Sequence, residues 1–263
     1  MKVVLFCGGL GLRLKEYSEN VPKPMVPIGY RPIIWHVMKY YAHYGHRDFV
    51  LCLGYKADVI KRYFLEYDEC ISNDFVLSGG NKQVKLLSSD TEDWRITFVD
   101  TGLESNIGSR LMAVRRHLED EEVFLANYSD NLTDAPLPEI IERRADHDSV
   151  ATFLAVRPSQ TFHVVRSDPG QFVSDIYPVT SSDIWINGGY FVLRNDIFQH
   201  MEAGEELVLE PFQRLIRERA LTCYRHTGFW ASMDTFKEKQ TLEEMHVSGR
   251  APWQIWKEGR RHA

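Results

Sequence analysis

The residues in this sequence best suited to chemistry are those that handle phosphate. Gly8, Gly9 and Gly11 lie within four positions of one another, and Arg13 and Lys23 follow them. Glycine at a strand end lets the backbone approach a ligand closely, and the N–H groups of such a loop cradle phosphate. Arg13 would add a bidentate donor and Lys23 a point charge. Asp130 follows the apolar run Val123-Phe124-Leu125-Ala126, where a carboxylate can hold a divalent cation between phosphates. An ordinary alternative stands beside it, since a strand-end Asp also serves as a turn or helix cap. Asp234 could likewise cap a helix starting at Thr235. The glycine spacing fits neither the dinucleotide fingerprint nor the P-loop.

Positioning these residues is the work of alternating strands and helices. Lys2 to Phe6 reads as a buried strand leading into the glycines. Ile33, Ile34, Val37, Met38 and Tyr41 recur at helical spacing, predicting a helix over 32–44. Strands are predicted at 48–53, 95–99, 122–126 and 150–156, with helices at 57–67, 109–118 and 138–146 between them. The polar stretch 68–92 reads as irregular. This alternation predicts an α/β, Rossmann-like, mostly parallel sheet with helices on both faces. Ligands bind such sheets beyond the carboxyl ends of the strands, where the glycine loop, Asp100 and Asp130 fall. The second half changes character. Val164-Val165, 172–176 and 186–193 look like antiparallel strands, closed by helices at 210–219 and 235–247. The expectation is one domain over 1–263. About 1–150 would be its nucleotide-binding half and about 151–263 a smaller α+β sugar-binding half.

Composition narrows the class. The 44% apolar and 26% charged content is that of a soluble globular protein. A net charge of −6 gives a nucleic-acid role no electrostatic support. Cys7, Cys52, Cys70 and Cys223 lack CxxC spacing and read as reduced thiols of a cytoplasmic protein. Cys7, beside the loop, reads as a small buried apolar residue. Neither a signal peptide nor a membrane span is expected.

The run Gly8-Gly9-Leu10-Gly11-Leu12-Arg13-Leu14, followed by Lys23-Pro24, resembles the signature of the sugar-1-phosphate nucleotidyltransferases, with Leu12 where the family usually has Thr. Further stretches are similar to the glucose-1-phosphate cytidylyltransferases among them. These include Gly108-Ser109-Arg110-Leu111, Trp185-Ile186-Asn187-Gly188-Gly189-Tyr190, Tyr224-Arg225-His226-Thr227-Gly228-Phe229-Trp230 and Ala251-Pro252-Trp253-Gln254-Ile255-Trp256. The resemblance implies in-line attack of a sugar 1-phosphate on the α-phosphorus of an NTP, with CTP favoured and pyrophosphate leaving. It implies Arg13 and Lys23 as catalytic residues and Mg²⁺ on Asp130 and Asp234. It places Gly8, Gly9, Gly11, Arg13, Arg110 and Ser129 at the nucleotide, and His163, Asn187 and Gly188 at the sugar. Arg110 is either a base-recognising residue or a solvated first-turn arginine. A homo-oligomer is the expected assembly.

The acceptor end departs from the family pattern. The family's Glu-Lys-Pro, whose Lys contacts the sugar phosphate, is here Asp175-Ile176-Tyr177-Pro178, and no Lys occurs from Arg157 to Asn187. His163 replaces a Gly and is either a phosphate donor or a structural or surface His. Asn131 replaces a Gly beside Asp130. Other readings are therefore a different NTP, a cyclitol phosphate acceptor, or a nucleotide-binding protein without turnover.

Overall fold

The computed structural model describes residues 1–9, 21–80, 82–91, 93–159 and 162–260. In chain order, β1 (Val3–Phe6) is followed by a 3-10 turn (Lys23–Met25), β2 (Pro27–Ile28), β3 (Arg31–Pro32), α1 (Ile33–His43), β4 (Asp48–Leu53), α2 (Ala57–Leu65) and α3 (Glu69–Ser72). Next come β5 (Phe75–Ser78), β6 (Gln83–Leu86), β7 (Arg95–Asp100), α4 (Ile107–Val114), β8 (Val123–Asn127), β9 (Asn131–Thr133), α5 (Leu137–Asp146) and β10 (Ala151–Val156). The chain ends with β11 (His163–Ser167), β12 (Val173–Pro178), β13 (Ile186–Arg194), α6 (Glu210–Arg217), β14 (Leu221–His226), β15 (Trp230–Ser232), α7 (Phe236–Val247) and a last 3-10 turn (Ile255–Arg260).

Seven strands form one sheet in the order β14-β10-β13-β8-β1-β4-β7. β1 pairs in parallel with both β4 and β8, β4 with β7, and β10 with β14. β13 runs against both its neighbours, β8 and β10. Side chains alternate between two apolar layers. Val3, Leu5, Phe49 and Leu51 face one layer, and Val4, Phe6, Val50 and Cys52 the other. The first layer packs on α1, α5 and α7 through Ile33, Val37, Ile140 and Leu242. Leu111 of α4 and Phe212 and Leu215 of α6 close the second. Helices thus cover both faces, which is why the central strands read as unbroken apolar runs. Each fully buried Leu or Phe contributes about 1.5–3 kcal/mol.

Several local expectations are revised. The stretch 186–193 is an antiparallel strand as expected, but it lies inside the main sheet, where β13 pairs with β8 and β10. The other two antiparallel segments form the hairpin β11–β12. A second hairpin, β5–β6, lies within the stretch read as irregular; all eight of its residues are exposed, so burial leaves no alternating pattern. The helix predicted from 109 begins at Ile107, because the side chain of Asn106 accepts from the N–H of Ser109 and caps it there. Among the described residues no helix is long and apolar enough to cross a membrane.

Candidate active site

Asp130 and Asp234 are brought together by a short ribbon. β9 and β15 pair antiparallel with Asn131 opposite Ser232, so Asp130 precedes one strand and Asp234 follows the other after Met233. The N–H of Met233 donates to the carbonyl of Asp130 at 3.0 Å, carrying the pairing one step further. Asp234 does not cap α7. Thr235 does, in a capping box with Glu238, and Glu238 also accepts from the Asp234 N–H at 2.8 Å. The Asp234 carboxylate is thereby turned towards Lys23. Pro22 and Pro24 flank Lys23, and its 3-10 turn closes with the N–H of Met25 donating to the carbonyl of Pro22 at 2.8 Å. The Lys23 ammonium bridges both carboxylates, at 2.5 Å to Asp130 Oδ2 and 2.6 Å to Asp234 Oδ1. Burial works against the Lys23 charge, but the two carboxylates outweigh it and hold its pKa above the ordinary range. Burial pushes the Asp130 carboxyl up, against the pull of Lys23.

This cluster borders a cavity of about 520 Å³ at the carboxyl ends of β1 and β8. Gly8 and Gly9 form its edge at the end of β1. Gly11 and Arg13 lie outside the described residues. Ser129 has φ +64°, and its N–H donates to Asn127 Oδ1 at 2.6 Å while its hydroxyl donates to the Phe6 carbonyl at 2.7 Å. It thereby ties the end of β8 to the end of β1 and sets the direction in which Asp130 leaves the sheet. Arg110 is 2% exposed, so it is not a solvated first-turn arginine. Its guanidinium donates to the carbonyls of Leu53, Gly102, Gly8 and Leu103 and to the Thr101 hydroxyl, at 2.8–3.2 Å. It lines the cavity and clamps the glycine turn against the ends of β4 and β7. A Cβ on Gly8 would sit 2.0 Å from Arg110 Nη1, so a larger residue there would displace the guanidinium from its place. Burial pushes the Cys7 thiol up to about 12, in keeping with a packing role.

Of the residues expected at the sugar, two adjoin the cavity wall. Asn187 Nδ2 donates to the hydroxyl of Tyr128, which lines the cavity, at 3.1 Å. Gly188 is buried, and its carbonyl accepts from Trp230 Nε1 at 2.8 Å and from Asn131 Nδ2 at 3.3 Å. His163 is not brought to this cavity. It is exposed at the start of β11, in register with Pro178. Sequence reasoning missed Tyr128, Asn106 and Glu206, all of which line the cavity. Asn106, directly before a helix, carried a readable capping signal; Glu206 carried none.

The nucleotidyl transferase family model matches residues 2–235. The chain is 37% identical over 257 residues to the glucose-1-phosphate cytidylyltransferases of Salmonella typhi and Salmonella typhimurium (strain LT2), covering 97% of this chain and 100% of each relative. The UTP-bound UGPase from Acinetobacter baumannii has the same fold, with a TM-score of 0.69 at 18% identity over 98% of this chain and 97% of that one. Membership of this family implies a divalent-metal-dependent mechanism. The chain belongs to the sugar-1-phosphate nucleotidyltransferase family and is closely related to its glucose-1-phosphate cytidylyltransferases.

Proposed function

We propose that this protein transfers CMP from CTP to glucose 1-phosphate or a modified relative, giving a CDP-sugar and pyrophosphate. The observation that carries this reading is the Lys23 ammonium held between Asp130 and Asp234 beside a glycine-edged cavity. The reaction joins two anions, so the protein's main tasks are alignment and charge compensation. The N–H groups of Gly8 and Gly9 and the Lys23 ammonium face the phosphates in this reading, and Gly11 and Arg13 are assigned to the same nucleotide. No general base is needed, because a phosphate monoester is already ionised at neutral pH.

The cluster fits a magnesium ion. Its donors are hard carboxylate oxygens, and they converge on one cation. Among the described residues no three His, Cys, Asp or Glu side chains form a fuller cage, and magnesium commonly takes one or two carboxylates together with substrate phosphates. Asp130 and Asp234 would hold Mg²⁺, which when bound supplies charge neutralisation and a template for the phosphates.

In this proposal about 1–150 serves the nucleotide and about 151–263 the sugar, through Asn187 and Gly188. Arg157 and Arg225 are the candidates to supply the positive charge that the missing lysine leaves open; both lie against Trp185, two residues before Asn187, at 4.8 and 5.2 Å from the ring centroid. A homo-oligomer belongs to the proposal too, supported by exposed apolar residues on the hairpins, such as Val76 and Leu77 on β5–β6 and Val173 and Ile176 on β11–β12. Free thiols at all four cysteines fit a cytoplasmic setting. The test is pyrophosphate release from four NTPs, each against a panel of sugar and cyclitol phosphates. CTP with glucose 1-phosphate or a close relative is expected to lead; absence of release from every CTP pair would overturn the reading.

A further inference from the structure

The cavity beside Lys23 has a third carboxylate, Glu206, which the phosphate chemistry does not use. A nucleoside triphosphate is a polyanion, so a carboxylate in its wall opposes binding unless the ligand gives it a hydrogen-bond donor. Asp130 and Asp234 each pair with Lys23. Glu206 is not paired in this way. Among the described residues no cation forms an ion pair with it, and the N–H of Ile107 is its hydrogen-bond donor.

Several contacts hold it in place. Glu206 Oε2 accepts from the N–H of Ile107 at 3.3 Å, at the start of α4. Asn106 Nδ2 donates to the Gly204 carbonyl at 2.8 Å, stapling the 204–207 segment to the same helix start. Gly108 allows close contact there, since a Cβ would meet the Glu205 carbonyl at 2.2 Å. Arg214 grips Glu205 from the other side, and the Glu206 N–H donates to Glu210 Oε2 at 3.1 Å. A carboxylate so fixed can discriminate between ligand edges, because it cannot move to suit the wrong one.

We infer that Glu206 is a specificity-determining residue, whose carboxylate accepts a hydrogen bond from the exocyclic amine of cytosine. The inference rests on the CTP reading above. A carboxylate matches the cytosine N4 amine, whereas uracil presents a carbonyl at that position and would set acceptor against acceptor. A site built to bond an N–H rejects a ligand lacking it by more than a pocket of matching shape does.

The experiment compares kcat/KM for CTP and UTP, with glucose 1-phosphate as acceptor, in the parent, Glu206→Gln and Glu206→Ala. An amide both accepts and donates, so Glu206→Gln should lower the CTP/UTP ratio about tenfold or more. Its melting temperature should hold, because the amide oxygen still accepts from Ile107. Glu206→Ala should lower the ratio as well, and neither variant should alter the CTP/dCTP ratio. An arm needing no variant uses the parent with pyrimidin-2-one ribonucleoside triphosphate, which lacks the amine and should lose about tenfold against CTP. A parent that prefers another NTP removes the CTP reading and this inference with it. A CTP-preferring parent whose CTP/UTP ratio stays constant in the variants overturns the inference alone, as does a change confined to the CTP/dCTP ratio or the acceptor KM.

Discussion

His226 Nε2 and Asp134 Oδ1 meet at 2.6 Å at one end of the β9–β15 ribbon, and the other end of that ribbon carries Asp130 and Asp234. The same Asp134 oxygen accepts from the N–H of Phe229 at 2.8 Å, and Thr133 Oγ1 donates to the Phe229 carbonyl at 2.7 Å. The spacing of the two carboxylates therefore depends on a register pinned several residues away. Asp134→Asn is expected to lower kcat about tenfold, equivalent to roughly 1.4 kcal/mol of barrier, with a smaller effect on the CTP KM. Steady-state kinetics at saturating Mg²⁺ check this, and an unchanged kcat would separate the pin from the site.

Asp130→Asn and Asp234→Asn each leave the ribbon's backbone pairing in place and remove one carboxylate. The expected loss in kcat is a hundredfold or more, about 3 kcal/mol, comparable to removing one oxyanion donor. Near-normal turnover with Mg²⁺ in both variants would refute the metal assignment.

Lys23→Ala leaves two carboxylates facing each other without their shared cation. The expected outcome is a loss of at least about 2 kcal/mol in kcat/KM, reflected equally in kcat, as for an interaction made in the transition state. A raised KM with unchanged kcat would restrict Lys23 to ground-state binding.

At the acceptor end, Arg225→Ala should raise the sugar-phosphate KM about tenfold, the scale of one hydrogen bond to a charged group, and leave the CTP KM unchanged. His163, exposed on its hairpin and away from the cavity, is expected to matter little. His163→Gly should keep the acceptor KM and its pH profile. A pH-dependent acceptor KM that disappears in His163→Gly would reinstate it as the phosphate donor.

His36 gives a pH dependence to stability. It is buried, with Nε2 against the Ile28 carbonyl at 3.2 Å and Nδ1 accepting from Trp253 Nε1 at 3.3 Å, an arrangement that suits the neutral ring. Burial lowers its pKa from 6.5 to about 3. Between those values the unfolded chain binds a proton that the folded chain refuses, so stability falls as pH drops below 6.5. The slope due to His36 approaches about 1.4 kcal/mol per pH unit. Burial also lowers His46, to about 4, which adds to the acid sensitivity of the parent. Urea unfolding from pH 7 to 4 should show a shallower slope in His36→Gln than in the parent; equal slopes would refute the assignment.

The sequence by itself determined the strands β1, β4, β8 and β10 and the helix α1, because these elements bury consecutive or periodically spaced residues and so leave a local pattern. It also pointed to the family. It did not show β14, whose residues are only partly buried and include Thr222, Arg225 and His226, nor the hairpin β5–β6, which has no buried face. Only the tertiary structure decided that Lys23 lies between Asp130, 107 residues away, and Asp234, 211 residues away. It also decided that Arg110 is a buried clamp, that His163 stands apart and that Glu206 enters the cavity wall. The physical reason is common to all four. Local patterns record how each segment meets the core, whereas contacts between distant residues follow from strand order and ribbon register, which exist only once the sheet has formed.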